Sequence, residues 1–553
     1  MKYFFFLFIL LVISCKSLRN SDSKITSWYS KDLVMDSIPG ISLDKWHNEY
    51  NGNSTARSIT VAVIDTQLDI EHEDLKNQIW INKKEIRNNK IDDDKNGYVD
   101  DVNGWNFLGT KSGNYVVWAN FEYVRFIRKW KPFFDKVEEQ DIAIENLNAF
   151  KTYKWSLSLL DYYQKYYATF SSSFGFLAKM YPKAKDTLKN YFPKEDYNLS
   201  QLDSMYNKYK LNDKTFQERQ KDNDEDFGAL IEYVSVAHSY NSKSLQDLKD
   251  KLIQYDSIFN KNLNLEYNER KLLGDNEFSL EKDYGNNKVN AKIDGIRSFN
   301  THNTKVSGII ASNRKNKIGT KGFSNKIKIM PLAISPSGDE HDKDIANAIY
   351  YAVDNGAKVI NMSFGKECSL EKIWVDEAIK YAEQKNVLIV HSSGNDAFNT
   401  NNYPNFPDDY DNERKEEISN NFITVGSISS KLDSTLISSF SNYGILSVDL
   451  FAPGEDIYTC IPDNKYEIDS GTSLAAPMVS GTAALIWLYY PKLTVKQVKN
   501  IILESGVKID KMVVKPGTKN EMVPFSDLCK TGKILNTYNA MQLAKKVSRQ
   551  KKQ

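Results

Sequence analysis

The sequence predicts an α/β fold, a doubly wound and mostly parallel sheet with a mainly helical insertion. Short β-branched apolar runs recur along the chain, and stretches with helical periodicity separate several of them. Alternating strands and helices are typical of a parallel sheet covered by helices on both faces. The segment from about residue 110 to 290 breaks this alternation, because it is rich in Tyr, Phe, Lys and Asp and poor in Gly.

The first strand is predicted in SITVAVID, residues 58–65, whose continuous apolar run suits a parallel strand buried on both faces. Four later runs share this texture and end in small or polar residues: AKVINMSF (357–364), VLIVHSSGN (387–395), FITVGSIS (422–429) and VDLFAPG (448–454). Functional groups in such sheets gather at the carboxyl ends of the strands. Asp65 and Asn395 lie at such ends and are therefore candidate site residues.

Helical periodicity is clear in two places. DKDIANAIYYAVDNG, residues 342–356, carries Ile345 and Ile349 on one face and ends at Gly356. SLQDLKDKLIQYDSIF, residues 244–259, has an apolar stripe with a capping box before it; the stripe consists of Leu248, Leu252, Tyr255 and Phe259. The aromatic residues of the insertion are interpreted as its own core, and a substrate-binding surface is the alternative.

The first fifteen residues, MKYFFFLFILLVISC, combine one Lys with an apolar run from Tyr3 to Ile13. This run is too short to span a bilayer and has the form of a signal-peptide core, which predicts export. VISC resembles the bacterial lipobox, so residues 1–14 are predicted to be a signal peptide and Cys15 the lipidated N-terminus. Ordinary cleavage after a small residue is the alternative. The expected product is a lipid-anchored membrane protein of the bacterial cell envelope.

Composition excludes some partners. The chain has 553 residues, with 73 Lys and Arg against 72 Asp and Glu, and a net charge of +1 gives no electrostatic basis for binding nucleic acid. Besides Cys15, the cysteines are Cys368, Cys460 and Cys529. At most one intramolecular disulfide can form among these three, and its pairing stays open.

Ser473 follows a Gly-Thr turn and precedes a long apolar run in GTSLAAPMVSG. A helix N-cap is the simple interpretation. A serine nucleophile would instead need a base, a carboxylate that orients the base, and donors for an oxyanion. The chain offers His302 in THNTKVSGII, Asp65 at a strand end, and Asn395 in HSSGNDA. Singly, each of these residues is explained as well by capping, turn formation or chance.

Together these segments resemble the subtilisin-like serine peptidases, most specifically through SGTSLAAPMVSG and also through VINMSFG and FAPGEDIYT. The resemblance implies a subtilisin-like fold and an Asp–His–Ser triad that needs no catalytic metal. It implies that Ser473 is the nucleophile, His302 the base and Asp65 its orienting residue, with Asn395 and the Ser473 N–H as the oxyanion hole. Ser363, Phe364 and Gly365 would form an edge to which a polypeptide substrate adds as a strand.

The resemblance also implies a domain organisation. It divides the chain into a signal peptide (1–14), a tether (15–40), a catalytic domain in two parts (41–110 and 291–545), a helical insertion (111–290) and a basic tail (546–553). The tether is too short to bury a core, so we expect maturation without loss of an N-terminal prodomain. We expect a monomeric serine endopeptidase that acts through an acyl-enzyme. The alternative is an inactive surface module that binds polypeptides.

Three residues depart from the pattern of the family. Gln67 replaces a Gly that usually stands two residues after the catalytic Asp, and HNTK replaces His-Gly-Thr-His, which brings in Asn303 and Lys305. Asn tolerates a positive φ that Gly would supply. Gln67 adds a side chain near the base. Lys305 places a cation near His302 and is expected to lower its pKa.

A second candidate site lies in IDDDKNGYVDDVNGWNF. Alternating oxygen ligands with a Gly at the sharp turn follow the spacing of an EF-hand-type loop. The candidate ligands are Asp92, Asp94, Asn96, the Tyr98 carbonyl and Asp100. The bidentate Glu of such loops is missing, because Asn103 stands at the twelfth position. A structural calcium site and a solvated acidic turn are both open, with Asp101 as a substitute ligand.

Overall fold

The structure is a computed structural model that describes residues 26–50, 57–291, 301–411 and 414–550. The predicted signal peptide 1–14 and Cys15 lie outside the described residues. The chain divides into two compact units. One is Tyr123–Tyr267, and the other combines the described parts of Lys16–Glu122 and Asn268–Gln553. The helical unit is thus shorter at both ends than the predicted insertion 111–290.

The predicted α/β fold is confirmed in the larger unit. Within the described residues, nine strands form one sheet in the order β12-β15-β9-β8-β5-β4-β1-β3-β2, and every pairing is parallel except that of β12 with β15. The strands are β1 Ile59–Asp65, β2 Trp105–Asn106, β3 Ile327–Ala333, β4 Val359–Met362, β5 Leu388–Ser392, β6 Tyr410–Asp411, β7 Glu416–Glu417, β8 Phe422–Ile428, β9 Leu450–Pro453, β10 Ile457–Ile461, β11 Lys465–Asp469, β12 Val507–Lys508, β13 Met512–Val514, β14 Met522–Pro524 and β15 Lys533–Ile534.

All five runs predicted as strands are strands of this sheet. The strand β3 was not predicted from the sequence. Its sequence IKIMPLA contains Pro331, and a proline argues against a strand in the interior of a sheet. Pro331 lies opposite Val63 of β1. On its other side β2 starts only opposite Leu332, and the backbone of Gly104 packs against Pro331 there. The proline therefore sits where the ladder is already incomplete.

Helices cover both faces of the sheet, as expected for a doubly wound fold. The helices of the chain are α1 Leu43–Glu49, α2 Glu122–Phe134, α3 Leu147–Lys189, α4 Leu199–Tyr209, α5 Phe216–Asp222, α6 Phe227–Ser239, α7 Leu245–Ser257, α8 Arg270–Leu273, α9 His302–Ala311, α10 Asp342–Asp354, α11 Lys372–Gln384, α12 Thr472–Tyr489, α13 Val495–Ser505 and α14 Thr537–Gln550. Among the described residues, α12 alone is long and apolar enough to cross a membrane, and 89% of it is buried inside the structure. It is the central core helix.

The helical unit has its own core, built largely from aromatic residues of α3 and α6 such as Phe174, Tyr181 and Tyr233. This agrees with the interpretation of the aromatic residues as a core. The predicted capping box at Ser244 forms on α7. Phe259 is the exception to the predicted stripe: it is 38% exposed, because the backbone changes to a π-helical turn, Ile258–Asn262, before that position.

Candidate active site

Asp65 ends β1, which pairs with a strand on each side, and it binds His302, the first residue of α9. Its side chain is 1% exposed, and each of its two carboxylate oxygens is 2.8 Å from Nδ1 of His302. The backbone N–H of Thr66 donates to Oδ1 of Asp65 at 2.6 Å. The carboxylate thereby fixes the imidazole ring with Nδ1 directed toward it, which leaves Nε2 for another partner.

Asn303 joins the start of α9 to the end of β1. Its backbone N–H donates to Thr66 Oγ1 at 3.1 Å, and its side-chain amide donates to the Thr66 carbonyl at 2.7 Å. Asn303 lies in the helix and does not have a positive φ. The substitution of Gly by Asn therefore needs no left-handed backbone, and it adds hydrogen bonds that position His302.

The pKa of His302 is raised above its ordinary value of 6.5. Burial opposes the charged imidazole, but the charge and hydrogen bond of Asp65 outweigh that effect. Lys305 does act to lower this pKa, as the sequence predicts, and Asp469 acts to raise it. The net shift is upward all the same, because the charge and hydrogen bond of Asp65 outweigh both burial and the ammonium of Lys305.

Gln67, the other departure from the family pattern, is fully buried behind the site. Its side-chain amide donates to the carbonyl of Lys288 at 2.8 Å, and the next residue, Leu68, donates its backbone N–H to Val289. Hydrogen bonds of Gln67 and Leu68 therefore connect the residues after β1 to residues 288–289.

Ser473 is the second residue of α12 and is half-buried. The N-cap of this helix is Gly471 and makes no side-chain cap, so the simple interpretation of Ser473 as an N-cap is wrong. Its hydroxyl instead donates to the Ser363 carbonyl at 3.0 Å, and the Ser363 hydroxyl donates to the Ser473 carbonyl at 2.9 Å. These reciprocal bonds place Ser473 beside the predicted substrate edge.

Asn395 is exposed at the turn after β5. Its Oδ1 accepts hydrogen bonds from the backbone N–H and the hydroxyl of Thr472, each at 2.9 Å, so the amide nitrogen is left for another acceptor. A Cβ added at Gly471 would lie 3.6 Å from Asn395 Nδ2 and 3.7 Å from the Ser473 backbone nitrogen. Both predicted oxyanion donors therefore border one small space, which the missing side chain of Gly471 leaves open.

The predicted substrate edge, Ser363 to Gly365, continues β4. The carbonyl of Phe364 accepts a hydrogen bond from Nε2 of His391 at 2.6 Å. Burial lowers the pKa of His391 to about 4, so it is neutral at physiological pH. No role for His391 was predicted from the sequence; its signal is a histidine directly after the apolar run of a buried strand. The three free cysteines, Cys368, Cys460 and Cys529, are all buried.

The acidic loop brings together only part of the predicted ligand set. Asp92 and Asp94 join Glu85, with carboxylate oxygens within 4.8 Å of one another. Oε2 of Glu85 is buried and has no hydrogen-bond partner among the described residues. Burial, aided by the charges of Asp101 and Asp94, raises the pKa of Glu85. An unpartnered buried carboxylate oxygen beside two further carboxylates fits a hard divalent cation.

Other side chains of the predicted set accept hydrogen bonds within the chain, as Asp92 and Asp94 also do. The carboxylate of Asp100 accepts the backbone N–H groups of Asn89 and Lys90. Oδ1 of Asn96 accepts the backbone N–H of Tyr98. The substitute ligand Asp101 accepts a hydrogen bond from the Tyr351 hydroxyl and from the amides of Asn82 and Asn96. Glu85, upstream of the loop, adds a third carboxylate to this cluster.

Comparison with known proteins agrees with this geometry. A family model described as "Subtilase family" matches residues 177–526. Three relatives match parts of the chain: the thermophilic serine proteinase of Bacillus sp. (strain AK1), 37% identical over 34% of this chain and 43% of its own; the major intracellular serine protease of Bacillus subtilis (strain 168), 36% over 36% and 58%; and thermitase of Thermoactinomyces vulgaris, 36% over 34% and 61%. The chain thus spans about half the length of these relatives.

The fold and the site define an α/β protein in which a buried aspartate with its paired histidine and a helix-borne serine lie at the carboxyl edge of a parallel sheet. The chain belongs to the subtilase family. The matched range contains His302, Asn395 and Ser473 but not Asp65. The hydrogen bonds of His302 connect Asp65 to the matched part.

Proposed function

We propose that this protein is a serine endopeptidase that hydrolyses peptide bonds through an acyl-enzyme. The observation that carries the proposal is the hydrogen bond between Nδ1 of His302 and the buried carboxylate of Asp65, at 2.8 Å. This pair lies at the edge of the sheet where Ser473 is the second residue of α12. An imidazole held in this way keeps Nε2 as a proton acceptor, which a serine nucleophile requires.

In the proposed reaction, Oγ of Ser473 attacks the carbonyl carbon of the scissile bond while its proton moves to Nε2 of His302. The amide of Asn395 and the N–H of Ser473 hold the resulting oxyanion. Collapse breaks the C–N bond, and the imidazolium gives its proton to the leaving amine. Water then repeats the sequence on the acyl-enzyme and restores the Ser473 hydroxyl. Asp65 keeps the imidazole in the required tautomer throughout.

The competing function is an inactive module that binds polypeptides along Ser363–Gly365. A specific observation relates to it: the Ser473 hydroxyl donates to the Ser363 carbonyl. Catalytic hydrogen bonds are often absent without substrate, so this bond does not exclude catalysis. Labelling with a fluorophosphonate probe separates the two functions. The peptidase is expected to be labelled in the wild type and not in Ser473→Ala, whereas an inactive module stays unlabelled in both.

We also propose that the enzyme is exported and anchored by a lipid on Cys15, on the basis of MKYFFFLFILLVISC alone. A lipid on Cys15 that carries two or more acyl chains would keep the intact chain on the membrane of the cell envelope. Cys15→Ser is expected to move the protein and its activity to the soluble fraction. An active, lipid-free wild-type form would contradict both the anchor and maturation in one piece.

Calcium is the proposed structural ion, with Glu85, Asp92 and Asp94 as its ligands. The unpartnered Oε2 of Glu85 supports this assignment, since a cation would supply the charge that the buried carboxylate lacks. Calcium is expected to raise the midpoint of thermal unfolding, and Glu85→Gln to remove most of that effect. Equal midpoints with calcium and with a chelator would contradict the assignment.

A further inference from the structure

Lys305 lies one turn along α9 from His302, with its ammonium between two carboxylates. Nζ is 2.5 Å from Glu467 and 2.6 Å from Asp469, and the side chain is 12% exposed. Both carboxylates belong to β11, the strand that leads to Ser473 four residues after Asp469. The ion pairs therefore join the helix that begins with His302 to the strand that precedes Ser473.

Asp469 uses its two oxygens for two different tasks. Oδ2 accepts from Lys305, and Oδ1 accepts the backbone N–H of Ser470 at 2.8 Å. Ser470 in turn leads to Gly471, whose N–H donates to the carbonyl of Gly454. One carboxylate thus holds α9 on one side and the turn that carries the nucleophile on the other.

The contact between α9 and the hairpin β10–β11 leaves little room for movement. The hydroxyl of Thr459 donates to the backbone carbonyl of Lys305 at 2.7 Å. A Cβ at Gly308 would lie 2.8 Å from Thr459 Oγ1 and 3.1 Å from Cys460 Cβ, so the helix backbone packs directly on β10. The ion pairs complete this contact at the end of α9 nearest His302.

We propose that Lys305, held by Asp469 and Glu467, is a positioning residue that fixes His302 in register with Ser473. The proposal rests on the proposed peptidase function. Lys305 acts through α9 and β11 and does not touch the reacting atoms. The family pattern has a histidine at this position. In this chain Lys305 stands there instead, a permanently charged group whose partners come from β11.

The arrangement also sets the charges around the imidazole. Three elements present charged groups to His302: Asp65 from β1, Lys305 from α9 itself and Asp469 from β11. The two carboxylates favour the imidazolium and the ammonium disfavours it. Removing Lys305 or Asp469 should therefore move the kinetic pKa in opposite directions, which loss of packing alone would not do.

The test compares full-length Lys305→Met, Asp469→Asn and Lys305→Arg by the pH profile of kcat/KM and by the rate of fluorophosphonate labelling. The kinetic pKa is expected to rise in Lys305→Met and to fall in Asp469→Asn. The labelling rate at its high-pH plateau is expected to fall roughly 10- to 100-fold in both, because the base is misplaced. Lys305→Arg retains the charge and should keep most of the rate.

Lys465→Met is the matched control, because it removes the same charge from the exposed far end of β11. It is expected to leave both measurements unchanged. Thermal unfolding identifies variants that fail to fold, and Lys305→Gln then replaces Lys305→Met, with the same expected rise in the kinetic pKa. Wild-type kinetic pKa values and labelling rates in the folded variants would overturn the proposal.

Failure of the peptidase function gives a different result. In that case the wild type itself shows no labelling that depends on Ser473. The titration of ¹³C-labelled His302, assigned with His302→Ala, still tests the inference without any activity. Its midpoint should rise in Lys305→Met and fall in Asp469→Asn, and identical midpoints in all three proteins would overturn the proposed role of Lys305.

Discussion

Asp65→Asn is the substitution that tests the proposed mechanism most directly. The carboxylate is 1% exposed and accepts one hydrogen bond from Thr66 and a shared one from His302. An asparagine of the same shape would present its NH₂ group to Nδ1 of the imidazole or lose the Thr66 bond. The ring then favours the tautomer with its proton on Nε2, which cannot accept the proton of Ser473.

The expected loss is about 10⁴ in kcat, the size found when the orienting Asp of such a triad is replaced by Asn. At 1.36 kcal/mol per factor of ten, this loss corresponds to about 5.4 kcal/mol of transition-state stabilisation. Burying an imperfectly paired amide costs about 1–3 kcal/mol of folding stability, so the variant should still fold. Peptide turnover and fluorophosphonate labelling measure the loss of activity, and thermal unfolding measures the loss of folding stability. Asp433→Asn, at an exposed turn, is the control. A folded Asp65→Asn variant with more than a tenth of the wild-type kcat would refute the assignment.

The geometry supports three further predictions. Asn395→Ala is expected to lower kcat by about 10² to 10³ with little change in KM, because its amide acts on the developing oxyanion; a large KM effect alone would contradict this role. The rate is expected to fall as pH decreases through the pKa of His302, since the imidazolium cannot accept a proton, and the raised pKa puts this limb above pH 6.5; a limb below 6.5 would contradict the assigned cause. Lys366→Met is expected to destabilise the fold by about 3–5 kcal/mol in thermal or denaturant unfolding, because it strands the buried carboxylates of Glu122 and Asp342; an unchanged midpoint would show that these groups are neutral.

Local sequence patterns predicted the elements that carry the candidate site. The run SITVAVID became β1 with Asp65 at its end, and the apolar stretch after Ser473 became the buried core helix α12. These predictions succeed because burial on both faces of a sheet demands continuous apolar runs, which are visible without knowing any partner. Which residue capped α12 was not visible in this way, because Gly471 and Ser473 are both compatible with a helix N-terminus.

Contacts between distant residues were the part that the sequence could not supply. The EF-hand-like spacing predicted Asp100 as a ligand, and the structure adds that its carboxylate accepts the backbone N–H groups of Asn89 and Lys90. Glu85 joins Asp92 and Asp94 because the chain folds back across the loop, and spacing within the loop carries no information about that return. Likewise, Lys305 acts to lower the pKa of His302, as its place in the sequence predicts, but the opposing effects of Asp65 and Asp469 depend on contacts that the sequence does not show.

The buried charges beside the predicted substrate edge are another set of contacts between distant residues that the sequence could not supply, and these contacts bear on function. Lys366 follows Gly365 directly, and its fully buried ammonium is paired with Glu122 and Asp342 and donates to the carbonyl of Glu340. Such a cluster is stable only when every partner is present, since breaking one pair leaves an uncompensated buried charge. Glu122 immediately precedes the helical unit along the chain. Glu122 is therefore part of the wall of the edge at which we propose that polypeptides bind, and its substitution is expected to disturb that edge through Lys366.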